Sequence, residues 1–421
     1  MSASIAAAGW LAEPHLQRLL AVLSANGEKA RIAGGAVRNT LMGQDVTDID
    51  IATTNLPDQT ISRAAKAGFK TVPTGKEHGT ITVVAAGRPF EVTTLRADVE
   101  TDGRRAKVVF GRDWRQDAER RDFTINALYA EADGTVVDLV GGIADLESRT
   151  LRFIGDPEAR IREDFLRILR FFRFFAWYGS GRPDAEGLKA CARLKGGLAQ
   201  LSAERVWTEL RKLLSAPDPS RALLWMRQTG VLTAIMPESE KWGIDAISGL
   251  IAAEHDLGWQ ADPLLRLAAI VPPDGPRLEA MGKRLRFANA ETRRIIEWAA
   301  APLPAADIGG PAFARLLYSH GKSGLRDRLR LAQAAAREKA ASDDNALVSA
   351  GGYSRLLKEL EQWERPVFPM SGRDLADLKM RPGKPMGDML RALEEEWIES
   401  DFRLDRGALL ERAADLVAEA R

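Results

Sequence analysis

Cysteine is nearly missing from this sequence: Cys191 is the one example in 421 residues. An internal disulfide and a structural thiolate zinc site are therefore excluded. Histidine is almost as scarce, and His15, His78, His255 and His320 are too scattered for metal-ligand spacing. His255-Asp256 is the one His-Asp pair, and too few other histidines remain to complete a phosphohydrolase metal cluster. Long apolar runs are also lacking; nothing approaches the roughly 18 residues that a transmembrane helix needs. The opening MSASIAAAGWLAEP has neither a basic n-region nor a sustained apolar core, so no secretory signal is expected and a cytoplasmic location is. Charge of one sign is absent as well, since 60 Lys and Arg against 59 Asp and Glu leave a formal charge of +1. That excludes the overall basic field of a strong non-specific nucleic-acid binder, and any such partner must be met by local basic patches. No internal repeat and no low-complexity tract interrupts the chain.

What is present is enough apolar material, 45% of the residues, for more than one domain. The first 150 residues alternate short β-like runs with helical segments. RIAGGAV, DIDIA, TITVVAA, PFEVTTL and TVVDLV read as strands, and residues 58–67 as an amphipathic helix. The composition fits an α+β or α/β head. From about Leu151 the β signals fade, and apolar residues recur at three- and four-residue spacing, as in residues 161–177, 203–214 and 220–228. Pro- and Gly-rich joints at VPPDGP and APLPAADIGGP, with a polar break at residues 343–345, divide this all-helical remainder.

The stretch DVTDIDIATT places Asp48 and Asp50 two apart on an expected half-buried strand, where alternate residues share a face. Two carboxylates on one face repel, and a hard divalent cation such as Mg²⁺ is the partner that suits them. Just upstream, IAGGAVRNTLMG runs from an apolar strand through Gly34 and Gly35 into a helix expected to begin near Ala36. Bare backbone at that turn lets a phosphate approach N–H groups, and Arg38 can add a charge-assisted bond. Alone, two glycines before a helix are only a tight turn. With DxD ten residues later they describe a cradle and a metal for a triphosphate, hence a nucleotidyl-transfer site using two Mg²⁺ ions. Glu91, on FEVTTL, is a candidate third carboxylate across the sheet, with an ordinary strand glutamate as the alternative.

GGAVRNTLMGQDVTDIDIATT resembles the first signature of the polymerase-β-type nucleotidyltransferases, in the form seen in class II tRNA nucleotidyltransferases, the CCA-adding enzymes. TGKEHGTITVV, FEVTTLR, DGRRAKVVFG, RRDFTINAL, VDLVGGIADL and EDFLRILRFFRF continue the resemblance in order, over roughly residues 25–215. Asn39 departs from the pattern, which usually has aspartate after the arginine; the metal pair is unaffected. The resemblance implies an α+β fold: a nucleotidyltransferase head at 1–150, then an all-helical neck at 151–215, body at 216–345 and tail at 346–421. It also implies Mg²⁺ as cofactor, CTP and ATP as substrates, tRNA as partner, pyrophosphate as product and no obligate protein partner. Bacterial poly(A) polymerases share the head motifs, but TGKEHGTITVV resembles the CCA-adding form. A relative that adds only A is a further alternative, and a catalytically dead RNA-binding protein sits poorly with the intact acidic residues.

Within EDFLR, Asp164 and Arg167 are three apart, and a helix would put them on one face. As bare sequence this is an ion pair worth tenths of a kcal/mol. In a nucleotide pocket it can read bases: the carboxylate only accepts hydrogen bonds and the guanidinium only donates. The exocyclic amines of cytosine and adenine satisfy Asp164, with ring acceptors for Arg167, whereas uracil and guanine present a carbonyl instead. By resemblance Arg170 and Arg173 line the same site, with Arg170 at a phosphate, while Ile161, Phe165, Ile168, Phe172 and Phe175 form core. RRDFTINAL offers Arg121 and Asp122 to the sugar and phosphates, Asp122 accepting from a ribose 2′-OH. Residues 101–110, TDGRRAKVVF, have the composition of a mobile loop, and the resemblance ties such a loop to the switch from C to A addition. Basic stretches in LSAERVWTELRKLL, KRLRFANAE, HGKSGLRDRLRLAQ and SGRDLADLKMRPGKPMG could track a tRNA backbone or be solvated helix faces.

Overall fold

The computed structural model describes residues 3–97, 109–240 and 242–419. Within them the chain forms two compact units that divide after Ile235. The strands of the first unit are β1 (Ala30–Ala33), β2 (Asp50–Thr53), β3 (Lys70–Gly75), β4 (Thr80–Ala85), β5 (Arg88–Thr94), β6 (Arg96–Ala97), β7 (Val109–Phe110), β8 (Leu128–Ala130) and β9 (Val136–Asp138). Seven form one sheet in the order β3-β4-β5-β2-β1-β8-β9, and β6 pairs with β7. Its helices are α1 (Pro14–Leu23), α2 (Gly35–Leu41), α3 (Pro57–Lys66), α4 (Trp114–Glu119), α5 (Gly142–Glu147), α6 (Pro157–Glu163), α7 (Leu166–Tyr178), α8 (Ala185–Leu194) and α9 (Ala203–Leu214), followed by Ser220–Gln228 and Val231–Ile235. Those last two pack on α7 and on the turn Lys195–Gln200, so the first unit runs past residue 215.

Alternation builds the sheet. Ile81, Val83 and Ala85 of β4 and Phe90 and Val92 of β5 are buried while their neighbours face outward. α1 and α3 pack against this region, so the amphipathic stretch read in the sequence is α3. The edge strand β3 was not legible: KTVPTG carries Pro73, is mostly exposed, and shifts register between Val72 and Gly75. Every neighbouring pair in the sheet is antiparallel except β2 and β5, which run parallel with Asp50 opposite Glu91.

Two sequence expectations are corrected. Asp48 is not on the strand: β2 begins at Asp50, opposite Ala33, and Asp48 lies exposed in the irregular approach. The ladder stops there because β1 ends at Ala33, leaving no partner for earlier residues. Asp164 and Arg167 do not share a helix either. Asp164 separates α6 from α7, with φ −155° and ψ 108°, and its Oδ1 accepts the Leu166 N–H at 3.0 Å. A short acidic side chain can cap the next helix at less cost than continuing the first.

VDLVGGIADL braces the centre of the unit. The Asp138 carboxylate accepts backbone N–H bonds from Val140, Gly141, Gly142 and Ile143 at 2.9–3.1 Å. Gly142 is required there, because a Cβ would lie 2.3 Å from the Thr124 carbonyl oxygen. α7 then docks through stacked and tilted aromatics, with Phe171 5.3 Å from Phe153 and Phe123 4.9 Å from Phe153.

In the second unit, the described residues outside short turns are helical from Ala246–Leu257 to Arg406–Glu419. One apolar cluster gathers Phe313, Leu325, Leu329 and Leu356, and another Leu375, Leu393, Trp397 and Leu409. No helix among the described residues is long and apolar enough to cross a membrane. Arg266, 2% exposed, meets Glu254 at 2.6 Å. Glu254→Ala leaves that guanidinium buried without its counter-charge, an expected cost of about 3–5 kcal/mol in urea unfolding. The exposed pair Asp388–Arg391 is the control: Asp388→Ala should leave the midpoint unchanged, and equal losses in both variants would refute the assignment.

Candidate active site

β1 ends where the chain turns at Gly34, with φ +64°, directly before α2. A Cβ at Gly34 would stand 3.3 Å from both Arg121 Nη1 and the Asn126 carbonyl oxygen, so the turn depends on glycine for conformation and for space. Arg38, in α2, is 6% exposed. Its guanidinium lies 3.9 Å from the Tyr178 ring centre, donates to Tyr178 Oη at 2.8 Å and to Asn39 Oδ1 at 2.9 Å, and also bonds Asn126 Oδ1. All these partners are neutral. Burial pushes its pKa down from the usual guanidinium range, with Tyr178 opposing. A cation desolvated among neutral groups at a cavity wall favours an incoming anion.

Asp50 and Glu91 face that wall from the parallel strands β2 and β5. Burial at the cavity floor raises the Asp50 pKa; Glu91 and, more weakly, Asp48 raise it further, while Arg121 opposes them. Among the described residues no three or more His, Cys, Asp or Glu side chains close around one point as a complete metal cage. The donors nevertheless fit a hard divalent cation. They are carboxylate oxygens, crowded and short of counter-charge, in an open site where a substrate could complete the shell, as is usual for Mg²⁺.

The second wall comes from RRDFTINAL. Asp122 is buried, and burial alone would raise its pKa, yet Arg170 and Asn126 hold it below the usual carboxylate range. Its Oδ1 accepts from Phe123 N at 2.9 Å and Asn126 Nδ2 at 3.0 Å; its Oδ2 accepts from Arg170 Nε at 2.7 Å and Nη2 at 2.5 Å. Four donors already surround this carboxylate, so a ribose hydroxyl would compete with them for its lone pairs. As it stands, Asp122 aims Arg170 and, through Asn126, Arg38.

At the far end, Asp164 Oδ2 accepts from Arg205 at 2.6 Å, and Arg167 donates to the Arg160 carbonyl at 2.8 Å and pairs with Glu163. Each side chain is thus held by a third residue; the two residues meet only through the backbone, where the Arg167 N–H donates to the Asp164 carbonyl at 3.0 Å. Arg173 turns away to the buried Glu209, at 2.5 Å. Residues 98–108 lie outside the described residues, so most of the stretch read as a mobile loop does too; Val109 and Phe110 form β7.

One cavity of about 610 Å³ collects Gly34, Gly35, Arg38, Asp50, Glu91, Arg121, Asp122, Asp164, Arg167 and Arg170, but neither Asp48 nor Arg173. Sequence reasoning missed Arg96, Arg120, Asn126, Phe174 and Arg205 on its lining. Arg120 was signalled by its place beside Arg121; Arg205 carried no signal beyond a basic helix. Among the described residues seven arginines and four carboxylates line it, a local excess of positive charge in a chain whose formal charge is only +1. His255 and Asp256, by contrast, are exposed, and Asp256 pairs with Arg337 at 2.9 Å.

Residues 30–152 match the family model of the poly A polymerase head domain, and residues 182–242 that of a probable RNA- and SrmB-binding site of polymerase A. A CCA tRNA nucleotidyltransferase 1, mitochondrial, of Mus musculus is 35% identical over 94% of this chain and 88% of its own length. A CCA-adding enzyme of Levilactobacillus brevis is 31% identical over 96% of this chain and 97% of its own. Among solved structures, the Bacillus stearothermophilus CCA-adding enzyme in complex with CTP superposes with a TM-score of 0.72 at 24% identity, covering 96% of this chain and 98% of that one. That likeness establishes the shared fold.

The carboxylate crowding is testable without turnover. Asp50→Asn should raise the melting temperature of metal-free protein by about 1–2 °C, a figure kept small because the group meets solvent. Added Mg²⁺ is expected to stabilise the wild type and not this variant. Equal Mg²⁺ stabilisation of both proteins would exclude Asp50 as a ligand.

Proposed function

The chain belongs to the CCA-adding enzymes, the class II tRNA nucleotidyltransferases, and on that premise we propose how its cavity carries out the reaction. The enzyme adds C, C and A to the 3′ end of tRNA from CTP and ATP, without a nucleic-acid template, releasing pyrophosphate. The observation that carries the proposal is a single cavity with carboxylates on the floor, arginines on the walls and Asp164 with Arg167 at the end.

The triphosphate lies against Arg38, Arg121 and Arg170, whose charge offsets its own. Gly34 and Gly35 let it approach the backbone. The family's chemistry needs a divalent metal, here Mg²⁺. Asp48 and Asp50 would hold it with Glu91 as a third carboxylate; Asp48, exposed on the approach to β2 and outside the cavity lining, would have to turn inward. When bound, the ion lowers the pKa of the attacking 3′-OH and supports charge on the α-phosphate. The base lies toward Asp164, whose oxygens each keep an acceptor position beside the Leu166 and Arg205 bonds. Cytosine and adenine amines fill one; a carbonyl from uracil or guanine leaves it unpaired, at about 1–3 kcal/mol. Arg205 and Glu163 hold the two readers apart in fixed orientations, as template-free selection requires. Arg173 contributes by bracing α7 against α9 through Glu209.

In the same proposal, residues 1–150 are the catalytic head and 151–215 the neck. Residues 216–345 and 346–421 are the body and the tail that meets tRNA. The location is cytoplasmic; the mitochondrial label of a relative is the alternative, which subcellular fractionation would separate.

The deciding experiment incubates purified protein with Mg²⁺, CTP, ATP and a tRNA transcript lacking its terminal CCA. A product three nucleotides longer, with C added from CTP alone, is expected. A ladder of A from ATP alone would indicate a poly(A) polymerase, and one A added only to a transcript ending in CC would indicate an A-adding relative. Asp50→Ala should cut incorporation by about 10³-fold or more while tRNA binding holds. Asp164→Ala should raise UTP and GTP misincorporation by about tenfold or more; unchanged selectivity would refute its reading role.

A further inference from the structure

Asp117, on α4, is 1% exposed and is absent from the cavity lining, yet it is bonded to three of the lining arginines, two of them through their guanidiniums. Its Oδ1 accepts from Arg120 Nε at 2.9 Å, Arg120 Nη2 at 2.6 Å and the Arg96 backbone N–H at 3.3 Å. Its Oδ2 accepts from Arg121 Nε at 3.3 Å, Arg121 Nη2 at 3.2 Å and Tyr129 Oη at 2.7 Å. Asp117 lies in the last turn of α4, Arg120 is the cap that ends the helix, and Arg121 follows in the bend beyond it, so both guanidiniums can fold back onto one carboxylate. Tyr129 is fully buried, set edge-on against Trp114 at 5.1 Å, with the Arg121 guanidinium 5.1 Å from its ring.

The consequence falls on the reacting end of the cavity. With Nε and Nη2 tied to Asp117, Arg121 reaches forward with Nη1, which donates to the Asn126 carbonyl at 3.2 Å and lies 3.3 Å from where a Gly34 Cβ would be. Arg121 is also the cation that opposes the charge of Glu91 and Asp48 on Asp50. Arg120 is held the same way on the same wall.

We propose that Asp117 is a positioning residue that presents Arg120 and Arg121 as a clamp for the polyphosphate of the incoming nucleotide, contributing equally for CTP and ATP. The proposal rests on the reading of this cavity as the nucleotide site. Burial alone would raise the Asp117 pKa, but Arg121 and Arg120 hold it below the usual carboxylate range, so the carboxylate stays charged at neutral pH. Asn in its place accepts through one oxygen only and turns an N–H donor toward an arginine or Tyr129, so one arm of the clamp must let go.

The test uses Asp117→Asn in the full chain with inorganic tripolyphosphate in Mg²⁺ buffer, a probe with neither base nor sugar, measured by calorimetry. Binding should weaken about tenfold. KM for CTP and for ATP should rise by that same factor, with selection against UTP and GTP and affinity for tRNA unchanged. In a background carrying both Arg120→Gln and Arg121→Gln the substitution should add little, since the residue acts through these two arginines. Unchanged tripolyphosphate affinity in a folded Asp117→Asn protein would overturn the proposal, as would a KM change confined to one nucleotide. If Asp117→Asn does not fold, Tyr129→Phe keeps every charge and removes one bond to Asp117; a twofold or greater loss of tripolyphosphate affinity supports the proposal, and no loss overturns it. Wild-type protein that binds tripolyphosphate but extends no tRNA would overturn the proposed reaction and leave the clamp standing.

Discussion

The parallel pairing of β2 with β5, in a sheet whose other neighbours are antiparallel, brings Asp50 opposite Glu91 at the floor of a cavity. Two acidic side chains there are costly in the absence of a cation, and the raised pKa of Asp50 records that cost. The surroundings follow from it. A turn at Gly34 that needs glycine borders the same cavity, and the walls carry arginines that suit the charge of a polyphosphate, Arg121 alone among them offsetting part of the charge on Asp50.

Most of the wall arginines are restrained before any ligand arrives. Arg170 is held by Asp122, Arg120 and Arg121 by Asp117, Arg167 by Glu163, and Arg38 by neutral partners alone. A long flexible cation loses side-chain entropy when it orders around a ligand, and prior restraint removes much of that loss from the binding step. Phe174 contributes the apolar counterpart, with Arg38, Arg170 and Arg173 each within 5.3 Å of its ring centre. The holders are mostly buried, which strengthens their bonds and makes each expensive to remove. In the second unit, apolar clusters and buried ion pairs such as Arg266 with Glu254 hold the helices together among the described residues.

Much of this was legible in the amino acids because some residues have chemistry that allows few readings. Gly34 before a helix, Arg38 one turn later and Asp50 on a β-like run imply a phosphate cradle and a cation, and the cavity contains all three. Asp164 and Arg167 were legible as a pair, but their geometry was not. A helical reading makes them neighbours on one face, whereas Asp164 ends one helix and caps the next, and each residue takes another partner. Local spacing describes a helix only while the helix continues.

The sequence by itself determined the α+β head, the helical remainder, the chemistry of the site and the family, since these rest on residue identities and on periods of two and of three to four. Tertiary structure alone decided that Glu91 joins Asp50, because α3, β3 and β4 intervene along the chain between β2 and β5, which then pair directly in the sheet. It also decided that Arg205 of α9 meets Asp164, 41 residues earlier, and that Asp122 spends its acceptors on Arg170 and Asn126. The reason is physical: which donor a carboxylate receives depends on what the fold packs against it, and no spacing along the chain encodes a partner brought by another helix.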